Sequence, residues 1–269
     1  MSDRFALIGC GEAGSTFAIH GGWQKKVRAY DIDPVRLTIM TQAGMTTASD
    51  LATAVSGARM IVSLVTADNA LEIVRESAPL INPGSIWCDM NSISPQTKIK
   101  SAHIIEQCGG RFVDAAVLAP VIPAHMQVPL LLSGSAAEDA RRELSALNFA
   151  DIRVIDDQVG RASAIKMVRS VMIKGIEALT GEMMAAAEAA GVTHEVLSSL
   201  DASISQGNWS DRAAYNLARM AQHGERRAAE MEEVASTLIS LGIQPVMTAG
   251  TVTLQRAAAR AVSSKKAAA

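Results

Sequence analysis

The chain has 269 residues, 49% hydrophobic and 19% charged, with a formal net charge of −2. That is enough length for one large domain or two small ones, and too apolar a composition for disorder. The lack of a basic block, of an apolar run of about 18 residues, and of aromatics beyond 3% argues against nucleic-acid, membrane and base-stacking roles.

From the N-terminus, Arg4 to Ile8 reads as a short strand closed by Gly9, followed by a helix from Glu12 to His20. The chain enters this strand directly after Met1-Ser2-Asp3, so no secretory leader is expected. Val27 to Tyr30 is a second strand ending in Asp31, and Pro34 opens the next helix. Further strands are predicted at Arg59–Leu64, Ser85–Asp89, Phe112–Leu118, Val128–Leu132 and Ile152–Ile155. Helices are predicted at Ala70–Ser77, Gln96–Cys108 and Ala136–Leu147. This alternation implies an α/β fold, a doubly wound parallel sheet with helices on both faces. From Gly160 the texture changes. Ala162 to Ala190 carries apolar residues on more than one face and predicts a helix of about 29 residues, ~44 Å long. Helices near His194–Ser205, Asp211–Gln222 and Glu225–Leu241 follow. Two domains result: 1–159, which would bind a dinucleotide, and 160–269, all-helical. Cys10, Cys88 and Cys108 show no metal spacing, so no metal is expected, and a reduced, cytoplasmic compartment fits an odd number of thiols.

Gly9-Cys10-Gly11-Glu12-Ala13-Gly14 is G-x-G-x-x-G placed between a strand and a helix. Gly9 permits the turn, Gly11 admits a pyrophosphate against the backbone, and Gly14 lets helix and strand pack closely. The helix start at Glu12 and Ala13 would supply N–H donors and positive potential to phosphate. Asp31 lies 22 residues after Gly9, where a carboxylate can accept hydrogen bonds from ribose hydroxyls. It favours NAD; Asp33 and Arg36 nearby keep NADP open. An ordinary solvated acid is the plain alternative for Asp31. Methyltransferases that bind S-adenosylmethionine also use a glycine-rich first turn and an acid after strand two, but without the third glycine and the all-helical half.

Lys166 opens the long helix among Ile165, Met167 and Val168, and shares a face with Arg169 and Ser170. An amine against apolar surface can exchange protons near neutral pH. A lysine with its head in water is the plain alternative.

The whole chain resembles the β-hydroxyacid dehydrogenases, the family of 3-hydroxyisobutyrate and 6-phosphogluconate dehydrogenases. The likeness rests on the glycine motif, on Asp89-Met90-Asn91-Ser92-Ile93-Ser94-Pro95 against the family's D-x-S-T-I-S-P, and on Lys166 six residues after Gly160. It implies a Rossmann domain followed by a helical domain through which subunits pair as a homodimer. It further implies NAD(P)-linked oxidation of a hydroxy group on a small-molecule substrate, with Lys166 as the proton-transfer residue. Asn91 and Ser170 would assist catalysis, Ser92 would orient the substrate, and Thr66 and Asn91 would face the nicotinamide side of the cofactor.

The departures matter for the substrate. The family's D-A-P-V-S-G-G loop becomes Asp114-Ala115-Ala116-Val117-Leu118-Ala119-Pro120, which replaces Ser and Gly donors with Leu118, Ala119 and Pro120. Ser170 stands where the family has Asn. This pattern is similar to a divergent branch whose helical half is a domain of unknown function. His125 and Arg169 are candidate replacement donors, and a solvent-exposed loop is the plainer reading of His125. An imine-type reductase and a cofactor-binding regulatory protein without turnover are the alternatives.

Overall fold

The structure, a computed structural model, describes residues 5–203, 208–240 and 244–267. Arg4 and the expected helix ends at Ser205 and Leu241 lie outside the described residues. The chain divides into two compact units, Met1–Lys166 and Met167–Ala269.

In the first unit the elements run β1 (Phe5–Ile8), α1 (Glu12–His20), β2 (Val27–Tyr30), α2 (Pro34–Gln42), β3 (Thr46–Thr47), α3 (Leu51–Val55), β4 (Met60–Ser63), α4 (Ala70–Ser77), β5 (Ile86–Asp89), α5 (Pro95–Gln107), β6 (Arg111–Val117), a short turn α6 (Val121–Ala124), β7 (Leu130–Ser133), α7 (Ala137–Ala146), β8 (Ile152–Asp156) and the start of α8 (Arg161–Ala190). The eight strands form one sheet in the order β3-β2-β1-β4-β5-β6-β7-β8. Period-two alternation divides the strand residues between two cores. Leu7, Met60 and Val62 face α1, α2 and α7 through Phe17, Met40 and Leu144. Ala6, Ile61 and Trp87 face α3, α4 and α5 through Val55, Val74 and Ile105.

The sheet is parallel from β3 to β6, as expected, but β7 pairs antiparallel with β6 and β8 runs parallel to β7. The reversal arises because β6 and β7 are joined only by the loop at 118–129, with no crossover helix long enough to return the chain to the opposite edge. The compact division falls at Lys166, not at the expected 159/160. The first turn of α8 packs on the sheet, with Ala162 beside Ala116 and Leu131.

The second unit holds the rest of α8 with α9 (Thr193–Ser203), α10 (Trp209–Ser240) and α11 (Val246–Ala267). Two expected helices, 211–222 and 225–241, are one 32-residue helix. Gly224, inside this helix, is a packing residue: a Cβ there would lie 2.1 Å from the Gln255 carbonyl oxygen of α11. Met167, Met231 and Val234 form the apolar centre. Beside it lies a buried polar row. Lys174 Nζ is 3.1 Å from Glu230, Arg227 pairs with Glu177, and Gln255 donates to Glu177 at 3.3 Å. Burial pushes the Lys174 amine below the usual lysine range, against the pull of Glu230.

Gly224→Ala is expected to destabilise the protein by about 1–3 kcal/mol in urea unfolding, since backbone must move to admit the methyl. Gly250→Ala, where a Cβ meets nothing within 4 Å, is expected to stabilise it by up to about 1 kcal/mol through helix propensity.

Candidate active site

The crevice outside the carboxyl ends of β1 and β4 is where the strand order reverses, the place at which doubly wound sheets bind ligands. Gly9 has φ +94°, and a Cβ on it would lie 2.3 Å from the Leu64 carbonyl oxygen. Only glycine allows β1 and β4 to end this close. At Gly14 a Cβ would lie 2.0 Å from the Gly9 carbonyl oxygen, so α1 seats directly on the turn. Gly11 differs: a Cβ there meets nothing within 4 Å. Among the described residues no side chain or backbone fills the space beside that glycine, and the opening at the α1 N-terminus fits a dinucleotide phosphate. Glu12 is exposed and Ala13 half-buried at this helix start.

Asp31 faces the same turn. Its Oδ2 accepts from the Cys10 N–H at 2.7 Å and its Oδ1 from the Asp33 N–H at 2.9 Å. Asp33 is employed otherwise, capping α2 through the Val35 N–H. The acid beside the glycine turn is therefore Asp31. Cys10 is a buried filler, its thiol pushed up to about 12 by burial and by Asp31. Thr66 is exposed just past β4, its hydroxyl accepting from Asn69 at 2.9 Å.

Asn91 ties the ends of β4 and β5 together. Its Oδ1 accepts from the Val65 N–H at 2.7 Å and its Nδ2 donates to Ser63 Oγ at 3.1 Å. Ser92, the next residue, accepts a hydrogen bond from Lys166 Nζ. A continuous line of contacts thus runs from Gly9 over Leu64 and Val65 to Asn91, Ser92 and Lys166. Leu118 packs half-buried against the cluster of Ala116, Leu131 and Ala162, the last of these one helical turn before Lys166. Pro120 is exposed.

The other expected residues have neighbours of their own. The His125 ring stacks on His20 with centroids 3.7 Å apart. His20 ends α1, about 12 Å along that helix from the glycine turn. Ser170 and Arg169 belong to the second unit, where Ser170 is buried and accepts from Lys174 at 3.4 Å while Arg169 is exposed.

The sequence reading misses a buried triad. Lys98, in the first turn of α5, is wholly buried. Its Nζ lies 2.8 Å from Asp89 Oδ1 and 3.4 Å from Asp114 Oδ1, and it donates to the Asp89 carbonyl. Burial works against the ammonium, but the two carboxylates outweigh it and hold the lysine above its ordinary pKa. Burial pushes the Asp89 carboxyl up, against the pull of Lys98. Asp114 Oδ2 accepts from the Gly160 N–H, the Ser163 N–H and hydroxyl, and the Ser133 hydroxyl, at 2.9–3.2 Å. It caps α8 from a strand. Among the described residues, no group of three His, Cys, Asp or Glu could hold a metal, and no helix is long and apolar enough to cross a membrane.

The glycine turn, the acid after β2 and the strand order define a dinucleotide-binding protein of the Rossmann class. Residues 4–148 match the family described as the NAD binding domain of 6-phosphogluconate dehydrogenase, and residues 187–258 match a domain of unknown function, DUF1932. The chain belongs to the family of the NAD binding domain of 6-phosphogluconate dehydrogenase. A conserved hypothetical protein from Sinorhizobium meliloti 1021 is 34% identical, with 97% of this chain and 89% of that one covered and a TM-score of 0.73. The conserved protein MTH1747, of unknown function and described as structurally similar to 3-hydroxyacid dehydrogenases, is 29% identical over 96% of this chain and 98% of its own, with a TM-score of 0.72. A 3-hydroxyisobutyrate dehydrogenase from Salmonella typhimurium, 19% identical over 96% and 94%, shares the fold at a TM-score of 0.75.

Gly11→Ala is expected to keep the wild-type melting temperature and lose about tenfold or more in NADH affinity, a cost of ~1.4 kcal/mol or more. Gly14→Ala is expected to lower the melting temperature itself. Calorimetric melting beside fluorescence titration with NADH separates the two.

Proposed function

We propose that the protein is an NAD(P)-dependent oxidoreductase acting on a hydroxy or keto group of a small organic, acidic substrate, with Lys166 as proton donor and acceptor. The observation that carries this reading is the Lys166–Ser92 hydrogen bond at the end of the contact line that begins at the glycine turn. The nicotinamide cofactor supplies the hydride equivalent when bound. Gly9, Gly11, Gly14 and the α1 N-terminus would hold its pyrophosphate, Asp31 its adenosine ribose, and Thr66 its nicotinamide side. In the reductive direction the Lys166 ammonium gives a proton to the substrate oxygen as charge develops there; in the oxidative direction the amine takes it. The Ser92 hydroxyl orients the amine. Asn91 keeps the β4 and β5 ends in register and has one N–H left for a substrate or cofactor oxygen. Leu118, Ala119 and Pro120 make the adjoining wall apolar, so the far end of the substrate differs from that of a simple hydroxyacid. In the helical unit, Ser170 and Arg169 are further candidates for the substrate's acidic group. His125, stacked on His20, is the weakest of the proposed substrate contacts.

We also propose a homodimer through α8, in a reduced cytoplasmic compartment. The stripe Val168, Met172, Ile176 and Leu179 is 53%, 65%, 36% and 49% exposed at helical spacing. Exposed apolar surface of this kind marks a subunit interface. Cys10 and Cys88 are free, buried thiols.

Lys166→Ala is expected to lower turnover by about 10²–10⁴-fold, the usual contribution of a positioned acid–base group, with NADH affinity retained. NADH absorbance against a panel of hydroxyacids, ketoacids and imines reads this, and unchanged turnover removes Lys166 from the mechanism. NAD is expected to bind more tightly than NADP, and Asp31→Ala to narrow that gap; equal native affinities defeat the Asp31 argument. Sedimentation is expected to show a dimer, and Met172→Glu with Leu179→Glu a monomer.

A further inference from the structure

Lys98 has no reason in stability alone to be charged. A buried ion pair is often no better than an apolar residue of the same volume. What the charge does is hold two carboxylates together, and each carboxylate has a second task. Asp89 Oδ1 also accepts from the Asn91 N–H at 2.9 Å, which fixes the chain just past β5. Asp114 Oδ2 collects the Gly160 N–H and the Ser163 N–H and hydroxyl, which fixes the first turn of α8. Gly160, at φ +100°, brings that turn against Pro95, so both segments meet at the start of α5. Ser92 is three residues beyond Asp89, and Lys166 three residues beyond Ser163. The two members of the hydrogen-bonded pair are therefore carried on short arms from the two carboxylates that Lys98 joins. Without a cation between them, two buried carboxylates repel or one takes up a proton, and either way the bridge that holds the two arms together is lost.

We propose that Lys98 is the positioning residue for Lys166, setting the Lys166–Ser92 contact through Asp89 and Asp114. The idea rests on the reading of Lys166 as the proton-transfer group, but its test does not need turnover. Reductive methylation of the cofactor-free protein with formaldehyde and cyanoborohydride is followed across pH by mass spectrometry. Lys166 is scored against the exposed Lys26. Ser92→Ala removes this one acceptor and is expected to raise the relative labelling of Lys166 about tenfold, the factor for one charge-assisted hydrogen bond. Lys98→Met, checked for folding by its melting transition, is expected to reproduce that rise, and Ser163→Ala to move in the same direction while leaving the ion pairs intact. In the active enzyme, Lys98→Met is expected to lower kcat about a hundredfold, as a ~1 Å misplacement does, with the KM for cofactor unchanged. Wild-type labelling in folded Lys98→Met and Ser163→Ala overturns the proposal, as does no rise in Ser92→Ala. If Lys98→Met fails to fold, Ser163→Ala decides. A wild-type chain that turns over nothing on the panel defeats the dehydrogenase reading and leaves the labelling result standing.

Discussion

The first unit depends on one buried cation. Lys98 stands between Asp89 at the end of β5 and Asp114 in β6, with all three side chains removed from water. Breaking such a pair by deleting one partner typically costs about 3–5 kcal/mol, because the remaining charge is left uncompensated. Asp89 Oδ2 has no hydrogen-bond partner among the described residues. That oxygen is the part of the Asp89 carboxylate that burial leaves uncompensated, in keeping with the upward push on its pKa. From this centre the loop after β5 and the start of α8 both take their positions.

The glycine turn is built on a different constraint, close approach of backbone. Gly9 and Gly14 are required by the protein's own atoms, Leu64 and Gly9 respectively, while at Gly11 a Cβ would meet no atom of the described residues within 4 Å. The motif therefore contains two structural glycines and one that faces outward. The same logic recurs in the helical unit, where Gly224 lets α10 and α11 touch along their backbones. Small residues there replace the aromatic packing that the composition denies.

Much of the site is legible in the residues. G-x-G-x-x-G, the acid at Asp31 and the apolar helix carrying Lys166 are local patterns, and local patterns have local causes: a turn needs glycine, a helix needs its period. Lys98 is not legible in this way. It lies between Thr97 and Ile99, with Lys100 two residues on, and reads as a solvated lysine on an ordinary helix. Only the packing of α5 on the sheet turns that one position inward. His125 is similar, since its loop gives no sign that His20 is its neighbour.

By itself the sequence determined the alternation of strands and helices, the dinucleotide turn and the change to an all-helical second half, because each follows from periodicity and backbone preference within a few neighbouring residues. The tertiary structure alone decided the reversal of β7 and β8, the continuity of α10 through Gly224, and the joining of Asp89, Lys98, Asp114 and Ser163 into one network. These depend on contacts between residues far apart in the chain, and in the interior a charge or a glycine takes its meaning from what the fold brings against it.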